Sequence, residues 1–284
     1  MQSLTPLHSE KIWGYEDWIA STNKTLVQED FVKLVKDYPL LVKVIQANDT
    51  LSVQVHPDDE TAVKLEGSGA NGKTECWYIL DAQPDAKIIF GLKNKFNRSE
   101  FEKALSEKRL PELLNEVKVK KGDFLFIPSG MVHAICGGIR LLEVQQNCDI
   151  TYRFYDWERG RELHVEKAFA AIHDFDEDAK TIKSFSDFKD GFSCKYFDLN
   201  KIEVKGGYSF FVRKHTNAQL VFVLGGSGTI RGTNADGTPC EKQPVKPEQI
   251  FAVLPGDKVT FEGQLELMRI SLPNAEEVSE SALF

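Results

Sequence analysis

The stretch Gly122–Ile135, GDFLFIPSGMVHAI, can be laid over Gln249–Glu262, QIFAVLPGDKVTFE, so that Phe124 meets Phe251, Pro128 meets Pro255 and Val132 meets Val259. In each copy a short β-rich apolar run ends at a proline turn and a second run begins. Working outward, Glu75–Leu80 (ECWYIL) matches Gln219–Leu224 (QLVFVL) in the same way. The chain therefore reads as two copies of one β unit. The copies differ chemically, because His133 corresponds to Thr260 and Glu75 to Gln219. A metal held by the first copy is not expected in the second.

Between these landmarks, short runs such as Leu40–Ile45, Leu51–Val55, Lys87–Gly91, Ile139–Val144 and Ile150–Phe154 follow one another with Gly, Pro or Asp between them. That rhythm predicts a β-sandwich or barrel. Helical periodicity is confined to Gln28–Asp37, Asp58–Glu66, Arg98–Val117 in two pieces broken at Pro111, and His164–Ile172. The third of these opens with Asn97 followed by Glu100, the pattern of a capping box. A polar, acidic stretch from Asp174 to Asp190 predicts the boundary between the two halves.

The 284 residues are 42% hydrophobic and include 19 Phe, which is ample core for one large or two ordinary domains. Twenty Gly and 11 Pro exclude collagen-like and low-complexity chains. The net charge of −8 gives no general attraction to nucleic acid or anionic membrane. No apolar run approaches the length of a membrane span, and no basic-then-apolar leader is seen, so a cytoplasmic location is expected. The five cysteines are scattered, without a C-x-x-C pair, and are expected as reduced thiols.

The chemistry gathers around LSVQVHPDD (from Leu51). Gln54 and His56 are two apart on a predicted strand and so share one face. Glu75 opens another strand and His133 a third. Barrel topology brings such strand ends together across an interior. Two imidazoles and a carboxylate are a common ligand set for catalytic zinc, with an amide oxygen or water in the fourth place, and iron or manganese accept the same donors. Taken singly, each residue has an ordinary explanation as a hydrogen-bonded turn or strand-end group. Their joint occurrence argues for a metal site. In the following LLEVQQNCDITYRFYDWERGRELH (from Leu141), alternation puts Glu143, Gln145 and Asn147 on one strand face. A charge facing inward is costly unless paired or liganded, which makes Glu143, Lys73 and Arg153 candidate site groups. Asp156–Arg161 reads as a surface loop.

KIWG (from Lys11), SVQVHPDD (from Ser52), GKTECWYI (from Gly72), GDFLFIPSGMVHAI and LLEVQQNCDITYRFYDWER together resemble the type I mannose-6-phosphate isomerase (phosphomannose isomerase) family, in its short bacterial class, over roughly residues 4–173. The resemblance implies a mainly β protein of two cupin (jelly-roll) barrels with a few peripheral helices. A catalytic N-terminal domain would span 1–175, a linker 176–190 and a metal-free C-terminal cupin 191–284. It implies one zinc per chain held by His56, Glu75 and His133, with Gln54 as a further ligand. Lys73 would lie near the substrate, Arg153 would act in catalysis, and Glu143 and Asp149 would line the pocket.

The implied reaction interconverts mannose 6-phosphate and fructose 6-phosphate through a cis-enediol. Glu143 is the first candidate base, with a metal-bound water or Asp149 behind it. Lys73 and Arg153 are the leading candidates for the phosphate, followed by Arg159. The implied partner is a phosphosugar, with neither nucleic acid nor membrane, and the chain would be a monomer or homodimer. The alternatives are a sugar-phosphate-binding cupin without turnover, a free-sugar isomerase, or a cupin oxygenase or epimerase. One departure from the family is visible: the chain runs directly from Trp13-Gly14 into Tyr15-Glu16-Asp17-Trp18, shortening one pocket wall.

Overall fold

In a computed structural model, which describes residues 1–273 and the backbone of Val278–Glu280, the chain is mainly β, with strands in sheets of eight, seven and five. It forms two compact units. One contains Leu7–Val27 and Tyr38–Phe185; the other contains Met1–Pro6, Gln28–Asp37 and Ser186–Phe284.

The first unit holds the seven- and five-stranded sheets, each antiparallel throughout. The larger runs Lys183–Ser184, Asp123–Ile127, Glu75–Ala82, Ile139–Gln146, Leu40–Ala47, Gly14–Ala20, Leu7–Lys11. The smaller runs Tyr152–Tyr155, Val53–Val55, His133–Ile135, Lys87–Leu92, Leu114–Lys118. Alternation along the strands gives each sheet an apolar face. Ile45, Trp77, Ile79, Leu125 and Leu141 of the larger sheet form one buried cluster with Ile88, Phe90 and Ile135 of the smaller. Residues of the opposite register, Val53, Val55, Ile89, Ala134 and Phe154, pack with Phe101 of helix Arg98–Ser106 and with Ala168 and Phe169 of helix Val165–Ala171. Each buried Phe contributes about 1.5–3 kcal/mol to holding these helices on the sheet.

Helix starts follow the local chemistry. Asn97 Oδ1 accepts from the Glu100 amide at 3.2 Å, and Asp58 Oδ1 accepts from the Thr61 amide at 2.7 Å. The second piece of the helix expected over Arg98–Val117 is instead a short 3₁₀ turn at Leu110–Leu113, after which Leu114–Lys118 pairs with Lys87–Leu92. Pro111 stops the helix, and sheet pairing claims the residues beyond it. Gly14 sits at φ 146° where a Cβ would lie 2.0 Å from the Gln46 carbonyl oxygen, so only glycine lets this hairpin strand lie against Leu40–Ala47.

The second unit is built on the long strands Asp198–Phe211, Gln219–Thr233 and Lys258–Ser271. The N-terminal segment Gln2–Leu4 pairs with Ile250–Val253, Gln2 opposite Ala252. Within the stretch read as a linker over 176–190, Lys183–Ser184 pairs with Phe124 and Asp123. These memberships depend on backbone pairing between polar or short segments, which hydropathy does not signal. Thr260, the counterpart of His133, shares a 2.8 Å hydrogen bond with Ser209. Among the described residues no helix is long and apolar enough to cross a membrane.

Candidate metal centre and cavity

Two rows of cross-strand neighbours organise the site. In the smaller sheet, Arg153 is opposite Gln54, Gln54 opposite His133, and His133 opposite Phe90. In the larger, Trp18 is opposite Lys43, Lys43 opposite Glu143, and Glu143 opposite Trp77. A cavity of about 390 Å³ is lined from both rows, by Gln54 and Arg153 and by Trp18, Lys43, Glu143 and Trp77, together with Lys73 and the exposed Asp149.

Behind Gln54 and Lys73 lie His56, Glu75 and His133, each only 1% exposed, with one ligand atom from each inside 4.8 Å of the others. Glu75 Oε2 is 3.5 Å from His56 Nε2, and Glu75 Oε1 is 3.5 Å from His133 Nε2. Donors held ~2.0–2.1 Å from a tetrahedral zinc sit roughly 3.4 Å apart, so the spacing fits such an ion. The hydrogen bonding fits as well. His56 Nδ1 is 2.9 Å from the Ile150 carbonyl and His133 Nδ1 is 2.8 Å from the Met131 carbonyl. A carbonyl only accepts, so each Nδ1 carries the proton and each Nε2 presents a lone pair to the cluster. His56 Nε2 and both Glu75 oxygens lack an aligned hydrogen bond, an unusual state for buried polar atoms. Gln54 Nε2 is 3.4 Å from His133 Nε2, which puts the amide at the edge of the same cluster.

Electrostatics set the protonation states. Burial pushes His133 down to about 4 and, reinforced by the Lys73 charge, holds His56 well below its ordinary value, so both imidazoles are neutral at neutral pH. Burial and the nearby Glu143 charge push Glu75 up to about 7, against the pull of Lys73. Lys73 Nζ lies 3.1 Å from Glu75 Oε2. Burial disfavours its charge, but Glu75 and Glu143 outweigh that and raise its pKa.

Glu143 is hydrogen-bonded on one oxygen and ion-paired on the other. Trp77 Nε1 donates to Oε2 at 3.0 Å, and Lys43 Nζ is 3.2 Å from Oε1. Lys43 also lies 3.9 Å from Glu16 Oε2, over the Trp18 ring at 4.9 Å. Trp18 Nε1 donates to Glu16 at 2.7 Å. Lys43 and Glu16 are absent from the sequence-derived candidates, although a lysine inside the apolar run LLVKVI was a usable signal. Arg153 Nε donates to Ser52 Oγ at 3.1 Å and Nη1 to the Glu162 carbonyl at 3.1 Å. Asp149 accepts a hydrogen bond from the Thr25 hydroxyl. The loop Asp156–Arg161 is not simply a surface loop, since Asp156 is buried and Arg161 reaches the cavity wall.

Residues 3–77 match the family model for the phosphomannose isomerase type I catalytic domain. The chain is 40% identical over 209 residues to mannose-6-phosphate isomerase ManA of Bacillus subtilis strain 168, an alignment covering 67% of this chain and 63% of that protein. It is 32% identical over 283 residues to the protein of the same organism named "Putative mannose-6-phosphate isomerase YvyI", covering 80% of this chain and 86% of YvyI. The crystal structure of the mannose 6-phosphate isomerase from Bacillus subtilis superposes with a TM-score of 0.75 at 28% identity, covering 94% of this chain and 98% of that one. With the His-Glu-His cluster, the paired sheets and these alignments taken together, the chain belongs to the type I mannose-6-phosphate isomerase family.

Proposed function

We propose that this chain interconverts mannose 6-phosphate and fructose 6-phosphate as a zinc-dependent aldose-ketose isomerase. The observation that carries the reading is a buried His56-Glu75-His133 cluster set directly behind a cavity lined by both a fixed carboxylate and several cations. Held by these three residues, with the Gln54 amide alongside, a zinc ion supplies Lewis acidity toward the sugar's carbonyl oxygen.

The chain's own residues would do the rest. Glu143 takes the proton from C2 and returns it to C1 as the C2–H bond breaks and a C1–H bond forms. The hydroxyl hydrogen passes from O2 to O1, and the cis-enediol lies between the two steps. The Trp77 N–H and Lys43 hold the carboxylate at one position for both. Asp149, exposed at the rim, is less suited to that task than Glu143. Lys73 is committed to Glu75 and so stabilises negative charge near the cluster. Arg153 has no carboxylate ion pair among the described residues and supports binding of the phosphate or the enediolate.

The test is turnover of mannose 6-phosphate, with fructose 6-phosphate detected by a coupled assay, after metal stripping and reloading. Zinc should restore activity to the stripped protein. A fully zinc-loaded protein without turnover would overturn the reading in favour of a binding role, and restoration by iron or manganese alone would revise the metal.

A further inference from the structure

Strand Tyr152–Tyr155 leads into a turn whose backbone is held in the left-handed region at Trp157 (φ 52°), Glu158 (φ 62°) and Gly160 (φ 76°). Two consecutive non-glycine residues there are strained, and such geometry persists only where the surroundings impose it. Trp157 Nε1 donates to the Leu51 carbonyl at 2.7 Å and pins the turn beside the cavity. At its centre is the Asp156 carboxylate, with a side chain 3% exposed.

Arg161 forks onto it, Nε to Oδ2 at 2.9 Å and Nη2 to Oδ1. Arg159 adds Nη2 to Oδ1 at 3.0 Å and Nε to the Asp156 carbonyl at 3.2 Å. Two guanidinium groups thus share one buried carboxylate, and Arg153, bonded to Ser52 and the Glu162 carbonyl instead, lies close enough to feel their charge. Their mutual influence is felt at Arg153, where burial comes first and then the Arg161 charge in lowering the pKa. Asp49, which is exposed, lies 3.7 Å from Arg159 Nη1, and the Glu162 charge also acts on Arg153. At Asp156 itself, two guanidinium groups face one carboxylate, one more positive charge than it balances. Of the two loop arginines it is Arg161 that reaches the cavity wall.

We infer that Asp156 is a positioning residue for the anion-binding end of the cavity: it holds the Arg161 guanidinium on the wall beside Arg153, where the two take the substrate's phosphate. The inference rests on the proposed isomerase reading and deepens it. A positioning role and a charge role predict opposite signs. Removing the Asp156 charge makes the cluster more positive, so if charge alone mattered a phosphate would bind more tightly. If geometry matters, it binds less tightly because the fork that aims Arg161 is gone.

The experiment compares wild type, Asp156→Asn, Arg161→Ala and the double variant in zinc-loaded protein with matched unfolding midpoints. For mannose 6-phosphate, Asp156→Asn should raise KM about tenfold or more while kcat changes less than about twofold. In the Arg161→Ala background the same substitution should change KM little, since it acts through a side chain already removed. In parallel, calorimetry with inorganic phosphate as the probe should show weaker binding to Asp156→Asn than to wild type. An unchanged or lowered KM, additive effects in the double variant, or undiminished phosphate binding would each overturn the inference. If wild type binds inorganic phosphate in an Asp156-dependent way but does not turn over the sugar, the isomerase reading fails and the positioning role stands.

Discussion

Lys43 and Glu143 stand directly opposite each other on neighbouring strands, with Nζ and Oε1 3.2 Å apart and both side chains almost wholly buried. This register pair ties the wall of the cavity to the group proposed to move the proton. Removing one member of a buried pair leaves the other uncompensated, at about 3–5 kcal/mol in a dry core and less beside a cavity that admits water. Lys43→Met is expected to destabilise the fold by about 1–3 kcal/mol, measured by urea unfolding. It should also lower kcat at least about tenfold with bound metal retained, because the carboxylate loses its second anchor. A stable variant with normal kcat would separate Lys43 from the reaction.

Metal and chemistry should separate by residue. His133→Ala is expected to lose bound metal and activity together, whereas Arg153→Ala keeps the metal and loses roughly 10² or more in kcat/KM. Metal analysis of the wild type should give one equivalent per chain. Two equivalents would contradict an empty second unit, in which Thr260 and Gln219 replace a histidine and a carboxylate. Metal loss in both variants would recast Arg153 as a support for the site.

The phosphate should matter strongly, because a chain with net charge −8 has no general attraction for a dianion. Two charge-assisted hydrogen bonds at about 1.5–3 kcal/mol each correspond to a loss of about 10² to 10⁴ in kcat/KM for mannose relative to mannose 6-phosphate. Equal values for the two sugars would point to a free-sugar isomerase on the same scaffold.

Glu16 should give the fold an acid-sensitive contribution. Burial works to raise its carboxyl pKa, but the charges of Lys43 and Lys11 and the Trp18 N–H outweigh that and hold it below the ordinary value. A depressed folded-state pKa means stability fully present above the unfolded value of about 4.3 and lost as pH falls through the folded one. The stability difference between wild type and Glu16→Gln should therefore be flat from about pH 6 to 8 and shrink below about pH 4.3. Urea titrations across that range measure it, and a difference that grew on acidification would refute the assignment.

The His56, Glu75 and His133 cluster is legible in the sequence because each residue sits at the edge of a strong apolar strand, where position along the chain translates into position on a sheet. Gln54 and Arg153 are legible through strand alternation, although their direct pairing is not, since register between distant strands leaves no local trace. Lys43 and Glu16 were harder to see. Their partners lie on other strands, and a lone lysine in an apolar run reads equally well as an edge charge. Arg161 was hidden by its setting in a polar, glycine-containing segment, which only the Asp156 fork and the Trp157 anchor fold back onto the cavity. The helix expected through Val117 failed at Pro111, where sheet pairing takes over from helical periodicity.

The pairing of Gln2–Leu4 with Ile250–Val253 has a consequence for synthesis and for dissection of the chain. Gln2–Leu4 cannot have its backbone groups satisfied until Ile250–Val253, far along the chain, has been made. Closing that loop adds a slow, non-local step to folding. A fragment ending at Phe185 would carry two orphans, the opening strand and helix Glu29–Val35, whose partners lie in the missing part. The half that carries the His56, Glu75 and His133 cluster is thus not a detachable cassette. Truncation after it should yield a protein that aggregates through an unpaired β edge before its chemistry can be measured.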